Sequence, residues 1–341
     1  RPASSLGAPS GRGFPGGVVR AISKSLAWFW KGGRGMILCA GESLIDMVEQ
    51  DGLFRPLPGG SVYNTALALG RLGARTAYLW PLSQDRFGAT LRAPLDEAGV
   101  DTSLCPRTAR LTTLAFVTLT DGEARYSFYD EGSAGRMFAP ADIPALPDGI
   151  GALFIGGISL VPDPCGATIE SLARDLGARL PVMLDPNIRP FFIPDPKAFR
   201  ARLDRLLGLA RIVKLSADDR DWLMPGTGAA EAAGRLLARG AAAVLTTEGA
   251  QGATAYLADG TTIRVPARAV TVADTIGAGD TFNAGVLAAL AAAGALGPQG
   301  WRAPDAATWR RALELGVQAA AVTVSRAGAN PPWRHELPPP A

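Results

Sequence analysis

The stretch Asp274-Thr-Ile-Gly-Ala-Gly-Asp280-Thr-Phe-Asn-Ala-Gly places two glycines and an acid directly before a long apolar run. Apolar residues then recur at Phe282, Val286 and Leu290, with the spacing of a helix, so a loop becomes a helix here. The first turn of a helix has unpaired N–H groups and the positive end of the dipole, and glycines keep side chains away from them. Residues 277–279 therefore fit a phosphate cradle, with a simple glycine-rich turn as the alternative.

The acid at position 280 decides between these two interpretations. An ionised carboxylate beside bound phosphate is repelled, so a purely structural role makes Asp280 a poor choice there. The choice makes sense if Asp280 takes the proton of a hydroxyl group that attacks phosphorus. The competing interpretation is that an acid in the first turn merely favours the helix dipole. On spacing alone, both interpretations stay open.

Outward from this stretch, short apolar strands alternate with helical segments. The predicted strands are Ile37–Ala40, Thr76–Trp80, Ala152–Ile155, Val182–Leu184, Arg211–Leu215 and Ala243–Thr246, and the predicted helices include Val62–Gly73, Gly166–Leu176, Lys197–Leu207 and Ala229–Ala238. Continuous apolar strands that alternate with helices are typical of a buried sheet. We therefore predict an α/β fold, doubly wound, with a mainly parallel sheet and helices on both faces.

One region breaks this rhythm. Residues 112–130, TTLAFVTLTDGEARYSFYD, are two alternating stretches joined by Asp121-Gly122, which is a strong hairpin pattern. We interpret it as a small antiparallel β lid, formed by about residues 47–58 and 105–131, over the sheet edge where such folds bind ligands. An edge decoration is the alternative. An exposed hairpin edge also leads to the hypothesis of a lid-to-lid homodimer.

Polar and glycine residues follow several predicted strands. They are Asp46 after the first strand, Gly59, Gly60 and Asn64 around the next helix, Asn187 and Arg189 in LDPNIRP, Lys214 and Ser216 in KLSADD, and Thr247, Gly249 and Gly252 in TTEGAQG. Each group alone is explained equally well by an ordinary turn. Because the carboxyl ends of parallel strands share one edge, we expect the groups to meet there.

Composition excludes several classes of protein. Residues 1–35 carry six basic side chains and no acid, which leaves 28 basic against 31 acidic residues in the rest of the 341-residue chain, so the body is not basic enough for nucleic acid. None of the four lysines follows a glycine, which excludes a Walker P-loop. The single histidine, His335, removes histidine-based triads. The three cysteines form no CxxC motif, and no apolar run is long enough for a membrane span, so we expect a cytoplasmic protein.

The N-terminal residues differ from the rest. Residues 1–35 are rich in Gly, Ser, Pro and Arg and predict a disordered leader, with a targeting peptide as the alternative. Residues 36–337 form the predicted folded domain, and residues 338–341 form a tail.

Two motifs in order, residues 58–73 (PGGSVYNTALALGRLG) and DTIGAGDTFNAG, resemble the two signatures of the ribokinase-like (PfkB) carbohydrate kinases. GESLIDMV, DPNIRP and SRAGANPP are most similar to the bacterial fructokinase branch of that family. The resemblance covers residues 36–337. It implies a doubly wound α/β domain with a β lid and transfer of the γ-phosphoryl group of ATP to the 6-hydroxyl of D-fructose, with Mg²⁺ on the phosphates.

The resemblance also implies roles for individual residues. Asp280 is the general base, and the backbone of Gly277, Ala278 and Gly279 is the anion hole. Asp46, Gly59, Gly60 and Asn64 bind the sugar, with Asn187 and Arg189 close to sugar and phosphates. Thr247, Gly249, Gly252, Lys214, Ser216 and Asn283 line the ATP site. A monovalent cation, K⁺, is implied at Asp274, Ile276, Ser325 and Gly328.

The chain departs from the family pattern at three positions. Ser216-Ala-Asp-Asp219 replaces a common Asn-x-x-Glu element, Glu248 replaces a common basic residue, and Leu111 replaces a common proline. The first departure puts the Mg²⁺ ligands in doubt.

Several other functions stay open on the sequence alone. One is a 2-keto-3-deoxygluconate kinase, although a sugar acid requires a second basic group in the pocket and only Arg189 is a candidate. A nucleoside kinase or a non-catalytic sugar- or nucleotide-binding regulator are further alternatives. A dinucleotide-dependent reductase is disfavoured, because this chain lacks the GxGxxG motif that such an enzyme carries after its first strand.

Overall fold

The computed structural model describes residues 35–120, 123–297 and 299–338. The predicted leader up to residue 34, the Asp121-Gly122 turn and residues 339–341 of the predicted tail lie outside the described residues.

The strands are β1 (Met36–Ala40), β2 (Leu44–Gln50), β3 (Leu53–Gly59), β4 (Thr76–Leu79), β5 (Leu82–Ser83), β6 (Arg107–Thr108), β7 (Leu114–Thr120), β8 (Glu123–Tyr129), β9 (Ile150–Gly156), β10 (Val182–Asp185), β11 (Ile212–Ser216), β12 (Ala243–Thr247), β13 (Ala253–Leu257), β14 (Thr262–Val265), β15 (Leu296–Gly297) and β16 (Gly300–Trp301). The helices are α1 (Ser61–Arg71), α2 (Arg86–Glu97), α3 (Cys165–Gly177), α4 (Pro196–Leu209), α5 (Ala217–Leu223), α6 (Ala229–Leu237), α7 (Ala278–Ala292) and α8 (Ala306–Val324). The predicted elements are present with boundaries shifted by one or two residues.

The central sheet has the strand order β14-β13-β12-β11-β10-β9-β1-β4. The six neighbouring strands β12, β11, β10, β9, β1 and β4 are parallel to one another, and β13 and β14 add an antiparallel edge. The parallel strands are continuously apolar because both faces of the sheet are covered, as the fully buried sequences of β1 and β9 illustrate. The predicted doubly wound, mainly parallel fold is confirmed.

The helices bury their apolar faces on the sheet and on one another. Helices α7 and α8 pack closely along their length, because Gly285 and Gly316 face each other and a Cβ on Gly285 would lie only 2.6 Å from the Cα of Gly316. Helix α1 packs on α7. Each fully buried Leu or Phe side chain in this core contributes about 1.5–3 kcal/mol. The packing fixes the N-termini of α1 and α7 side by side.

A second, smaller sheet has the order β3-β2-β7-β8, and we call it the lid sheet. Two antiparallel hairpins, β2–β3 and β7–β8, are joined through a parallel β2–β7 pair. The sheet begins at Leu44, three residues before the predicted lid boundary. Residues 105–113 are not part of it, since β6 pairs with β5 instead.

Within residues 35–120, 123–297 and 299–338, no helix is both long enough and apolar enough to span a bilayer.

Candidate active site

Helix α7 begins at an open, glycine-lined end. Gly277 precedes the helix with φ 77°, a left-handed conformation, and a Cβ there would lie 2.8 Å from the Cβ of Ala329. A Cβ on Gly279 would lie 3.2 Å from Nζ of Lys214, so this end of the helix has a cation beside it. Residues 277–279 are half-buried rather than enclosed. A helix N-terminus with free approach and an adjacent ammonium group suits an anion.

The Asp280 carboxylate lies in the first turn of α7 and is held by two donors from α1. Ser61 donates its hydroxyl to Oδ1 at 2.7 Å, and the Asn64 amide donates to Oδ2 at 2.9 Å. The side chain is only 6% exposed, and burial raises the pKa of Asp280 to about 6, against the lowering effect of these two donors. A carboxylate with this pKa is mostly ionised at neutral pH and is a competent proton acceptor.

The diglycine before α1 makes room for the side chain of Asp46 and for the backbone of Glu42. A Cβ on Gly59 would lie 2.1 Å from Oδ2 of Asp46, and a Cβ on Gly60, at φ 113°, would lie 2.5 Å from the carbonyl oxygen of Glu42. Burial raises the pKa of Asp46 to about 6. The expectation that Asp46 lies in a loop after the first strand was wrong: it is the third residue of β2, in the lid sheet, because the turn at residues 41–43 is very short.

A buried ion pair lies beside these helix ends. Lys214 on β11 is 3.0 Å from Oδ2 of Asp185 at the end of β10, and both side chains are almost completely buried. Asn283 donates its amide to the same Asp185 oxygen at 2.7 Å. Burial raises the pKa of Asp185, whereas burial lowers that of Lys214 but is outweighed by the Asp185 and Asp219 carboxylates, so Lys214 stays protonated.

The position of Asn283 therefore differs from the one predicted for it, at the nucleotide. Its side chain has no exposed surface, and its amide is committed to Asp185. Asn283 lies in the second turn of α7, and its amide reaches Asp185 at the end of β10, so it holds the acid of the ion pair in place.

Asp219 connects the start of α5 to the loop after β10. It forms a reciprocal cap with Ser216, whose backbone N–H and hydroxyl both donate to Oδ2, at 2.9 and 2.6 Å. Its Oδ1 accepts the N–H of Ile188 at 2.7 Å, which fixes the loop that carries Asn187 and Arg189. Asn187 has a φ of 42°, and the exposed Arg189 guanidinium donates only to nearby backbone carbonyls.

The predicted nucleotide residues after β12 separate into two kinds. Thr247 is half-buried, and Gly249 is exposed with open space where a Cβ would lie. Gly252 is buried, and its Cβ would lie 2.1 Å from the carbonyl oxygen of Val265. Gly252 is thus explained by close approach of the chain to itself, and it has no surface for a ligand.

Asp274 bonds to two of the other three positions of the predicted cation site, Ile276 and Gly328. Its Oδ1 accepts the N–H of Ile276 at 3.0 Å, and its Oδ2 accepts the N–H of Gly328 at 2.9 Å. Its own N–H donates to the carbonyl of Val324, the residue before Ser325. The Asp274 carboxylate thus holds the two loops together through backbone N–H groups, and carboxylate oxygens are ligands that suit a hard cation.

The carboxylates near α7 also fit a magnesium ion bound with phosphates. The Asp219 carboxylate lies close enough to Asp185 to contribute to the raised pKa of Asp185, and Mg²⁺ in kinases typically takes one or two carboxylates plus substrate phosphates. No group of three or more His, Cys, Asp or Glu that could hold a metal by itself occurs in the described part of the chain. A magnesium site here therefore depends on the oxygens of the nucleotide.

The lid sheet meets the loop after β10 through stacked aromatic rings. Tyr126 and Phe191 are parallel, with centroids 5.0 Å apart, and Phe128 meets Phe192 edge-on at 4.6 Å. Below this contact is a cavity lined by Glu42, Ser43, Leu44, Trp80, Thr113, Asp130, Arg136, Ile158, Ser159, Pro162, Cys165 and Phe192.

Two residues of the site were missed from the sequence. Ser61 looks like an ordinary residue after a diglycine, and only its place three residues before Asn64 indicates that both face the same direction. Glu42 follows the first strand in an otherwise apolar context, and a charged residue there was the available signal.

Comparisons with known proteins agree on one family. A sequence model described as pfkB family carbohydrate kinase matches residues 36–336. A fructokinase of Rhizobium leguminosarum bv. trifolii is 48% identical over 261 residues, 75% of this chain and 79% of that protein. The crystal structure of a Xylella fastidiosa fructokinase with bound ATP superimposes with a TM-score of 0.78 at 30% identity, covering 89% of this chain and 95% of that one. A double mutant of Vibrio cholerae O395 fructokinase with fructose, ADP and potassium bound gives 0.77 at 25% identity, covering 87% and 94%.

Proposed function

The chain belongs to the pfkB family of carbohydrate kinases and is an ATP-dependent sugar kinase, and we propose that it phosphorylates D-fructose on the 6-hydroxyl. The observation that carries the proposal is the Asp280 carboxylate, buried and paired with α1, beside the open N-terminus of α7. The similarity to fructokinases supports fructose as the acceptor.

In the proposed reaction Asp280 accepts the proton of the 6-hydroxyl as its oxygen attacks the γ-phosphorus of ATP. A new P–O bond forms, the bond to the β-phosphate oxygen breaks, and ADP leaves. The backbone N–H groups at residues 277–279 and the Lys214 ammonium group stabilise the charge on the transferring phosphoryl group. Mg²⁺, when bound with the nucleotide, neutralises phosphate charge, with Asp185 and Asp219 nearby.

We place the sugar between Asp280 and the cavity under the lid sheet. Asp46 accepts hydrogen bonds from sugar hydroxyls, because a partly buried carboxylate gains most from such donors. Gly59, Gly60 and Asn64 contribute backbone and amide contacts from the α1 turn. Asn187 and Arg189 reach the same space from the loop after β10.

The charge of the cavity favours a neutral sugar over a sugar acid. Of the residues that line it, Arg136 is the cation, and its guanidinium already lies 3.3 Å from the Asp130 carboxylate. Glu42 and Asp130 give the lining two acids. The carboxylate of a 2-keto-3-deoxygluconate molecule would be repelled there, so fructose is the better fit.

The nucleotide lies along the carboxyl ends of β11 and β12 in this proposal. Thr247, Gly249 and Ser216 line its path, and Lys214 lies under its terminal phosphate. A K⁺ ion at Asp274, Ile276, Ser325 and Gly328 supports the loop behind the anion hole. ATP as phosphoryl donor also fits a cytoplasmic protein.

A homodimer through the lid sheet is the proposed assembly. The outward face of this sheet presents Phe54, Phe116 and Tyr129 in mutual contact, with Phe54 41% and Tyr129 65% exposed. Such a patch favours a partner. Light scattering at assay concentration tests it, and a single monomeric mass would reject the dimer.

A coupled ADP-release assay across fructose, ribose, 2-keto-3-deoxygluconate and adenosine tests the function. We expect the highest kcat/KM with fructose. A preference for the sugar acid or for adenosine would reassign the substrate. Binding of ATP and sugar without ADP release would instead identify a non-catalytic regulator.

A further inference from the structure

Glu42 is a buried carboxylate whose partners are backbone N–H groups rather than a cation. It follows β1 and is 5% exposed. Its Oε1 accepts the N–H of Ser61 at 3.0 Å, and its Oε2 accepts the N–H of Ser159 at 3.2 Å. Its own carbonyl accepts the N–H of Tyr63 at 3.2 Å. One residue thus connects the end of β1, the first turn of α1 and the turn after β9.

The fold makes room for this carboxylate at some cost. A Cβ on Gly157, at φ 65°, would lie 2.1 Å from Oε1 of Glu42, so a glycine is required there. Burial raises the pKa of Glu42 from 4.5 to about 7, so stability falls as the pH rises between these values, and above about 7 the ionised form opposes folding in full. Stability alone does not explain a charged residue at this position.

The Ser61 turn lies between Glu42 and Asp280. The N–H of Ser61 donates to Glu42, while its hydroxyl donates to Asp280 at 2.7 Å. Asn64, the second donor to Asp280, follows in the same turn, with its own N–H on the carbonyl of Gly60 at 2.9 Å. The position of both Asp280 donors is therefore set by the turn that Glu42 holds.

We propose that Glu42 is a positioning residue for the proton acceptor: its carboxylate fixes the first turn of α1, and through Ser61 and Asn64 it orients Asp280. The role in catalysis rests on the proposed function, in which Asp280 is the general base. The link from Glu42 to Asp280 is a property of the fold and is measurable without any substrate.

The charged and titratable groups around Glu42 define what else can influence the measurement. They are Tyr63 on α1, Tyr78 on β4, Asp130 and Arg136 across the cavity, Cys165 at the start of α3, and Asp280 beyond Ser61. The variants below change none of these groups, apart from Asp280→Asn, which serves to identify the NMR signal.

Carboxyl ¹³C NMR titration of Asp280 in the Glu42→Gln variant is the decisive test, with Asp280→Asn to identify the signal. Glutamine keeps the size of Glu42 but has one acceptor oxygen for two N–H partners, Ser61 and Ser159, so the connection that holds the α1 turn to the turn after β9 is broken. The Ser61 and Asn64 donors lower the pKa of Asp280, so loosening them raises that pKa above its value of about 6. Removing the negative charge of Glu42 without moving the turn would lower it. A rise of about half a unit or more supports the proposal, and an unchanged or lower pKa overturns it.

Glu170→Gln is the matched control. Glu170 is equally buried, at 6% exposure, but it pairs with Arg205 and Arg174 on the surface of α3 and α4. We expect this variant to lose stability and to leave the pKa of Asp280 unchanged. The two variants together separate the loss of any buried carboxylate from the loss of this one.

Kinetics supply the second arm. In Glu42→Gln we expect kcat for fructose to fall by about tenfold to a hundredfold, with KM for ATP unchanged and no loss of thermal stability at pH 8. Ser61→Ala should reproduce the effect, and the double variant should lose less than the two single variants combined. A kcat equal to wild type, or a fall that tracks a lower melting temperature, contradicts positioning. If the wild-type protein phosphorylates no fructose, the proposed substrate fails, while the NMR result still decides the role of Glu42.

Discussion

Replacing Asp280 with asparagine should make the protein more stable and nearly inactive at the same time. Burial raises the pKa of this carboxyl from 3.8 to about 6 in the folded protein, a difference of about two units. Each unit corresponds to about 1.4 kcal/mol, so the ionised side chain opposes folding by up to about 3 kcal/mol. The sign follows from proton binding: between pH 3.8 and about 6 the folded state holds the proton more tightly, so stability falls as the pH rises through that window.

Asparagine removes this penalty while keeping the contacts. Its amide oxygen accepts from Asn64, and its N–H₂ group donates to the Ser61 hydroxyl, which rotates to accept. The same change removes the proton acceptor, and general base catalysis contributes typically about 10²–10⁴ in rate. Turnover should therefore fall by at least that factor, with little change in fructose binding.

Urea unfolding at pH 4 and pH 8, together with ADP release at pH 8, measures both effects. We expect Asp280→Asn to unfold at higher urea than wild type at pH 8 and at nearly the same concentration at pH 4. The pH 4 measurement is the internal control, because there both proteins carry a neutral side chain for much of the time. Lower stability than wild type at pH 8, or turnover close to wild type, would refute the reasoning.

Two further predictions concern the start of helix α7 and the Lys214–Asp185 ion pair. Gly277→Ala should lose at least about 1–2 kcal/mol of stability, because alanine is strained at φ 77° and its Cβ meets Ala329, whereas Gly228→Ala, with open space around it, should lose almost none; equal urea midpoints for the two variants would contradict this. Lys214→Met should lose about 3–5 kcal/mol at pH 8 by leaving Asp185 buried and unpaired, and adding Asp185→Asn should recover most of it; a double variant no more stable than the single one by urea unfolding would show that the charge is not the cause.

Local pattern was sufficient for the elements and for placing Asp280 in the first turn of a helix. The parallel strands were predictable because a sheet covered on both faces requires continuous apolar runs, as in β9. The position of Asp280 was predictable because glycines followed by an apolar run with helical spacing indicate where the helix begins. Both inferences need only residues close together in the sequence.

Long-range partners were not predictable in the same way. The sequence does not distinguish a glycine that a ligand approaches from one that the chain itself approaches. At Gly252 it is the chain that approaches, through the carbonyl oxygen of Val265. Asp46 was misplaced into a loop because nothing in the sequence marks where β1 ends and β2 begins. Asn283 was predicted to contact the nucleotide. Its hydrogen-bond partner, Asp185, is 98 residues away in the sequence, so the local pattern could not reveal it.

The arrangement of buried charge explains why the site takes this form. Glu42 and Asp280 are held by N–H, amide and hydroxyl donors, which stabilise an anion without cancelling its charge. Asp185, by contrast, is paired with Lys214, so that pair adds no net charge next to the phosphate path. An ammonium group paired directly with Asp280 would lower its pKa and weaken it as a base. Lys214 instead pairs with Asp185 and lies close to Gly279, so in the proposed reaction it faces the incoming phosphoryl group while Asp280 keeps its basicity.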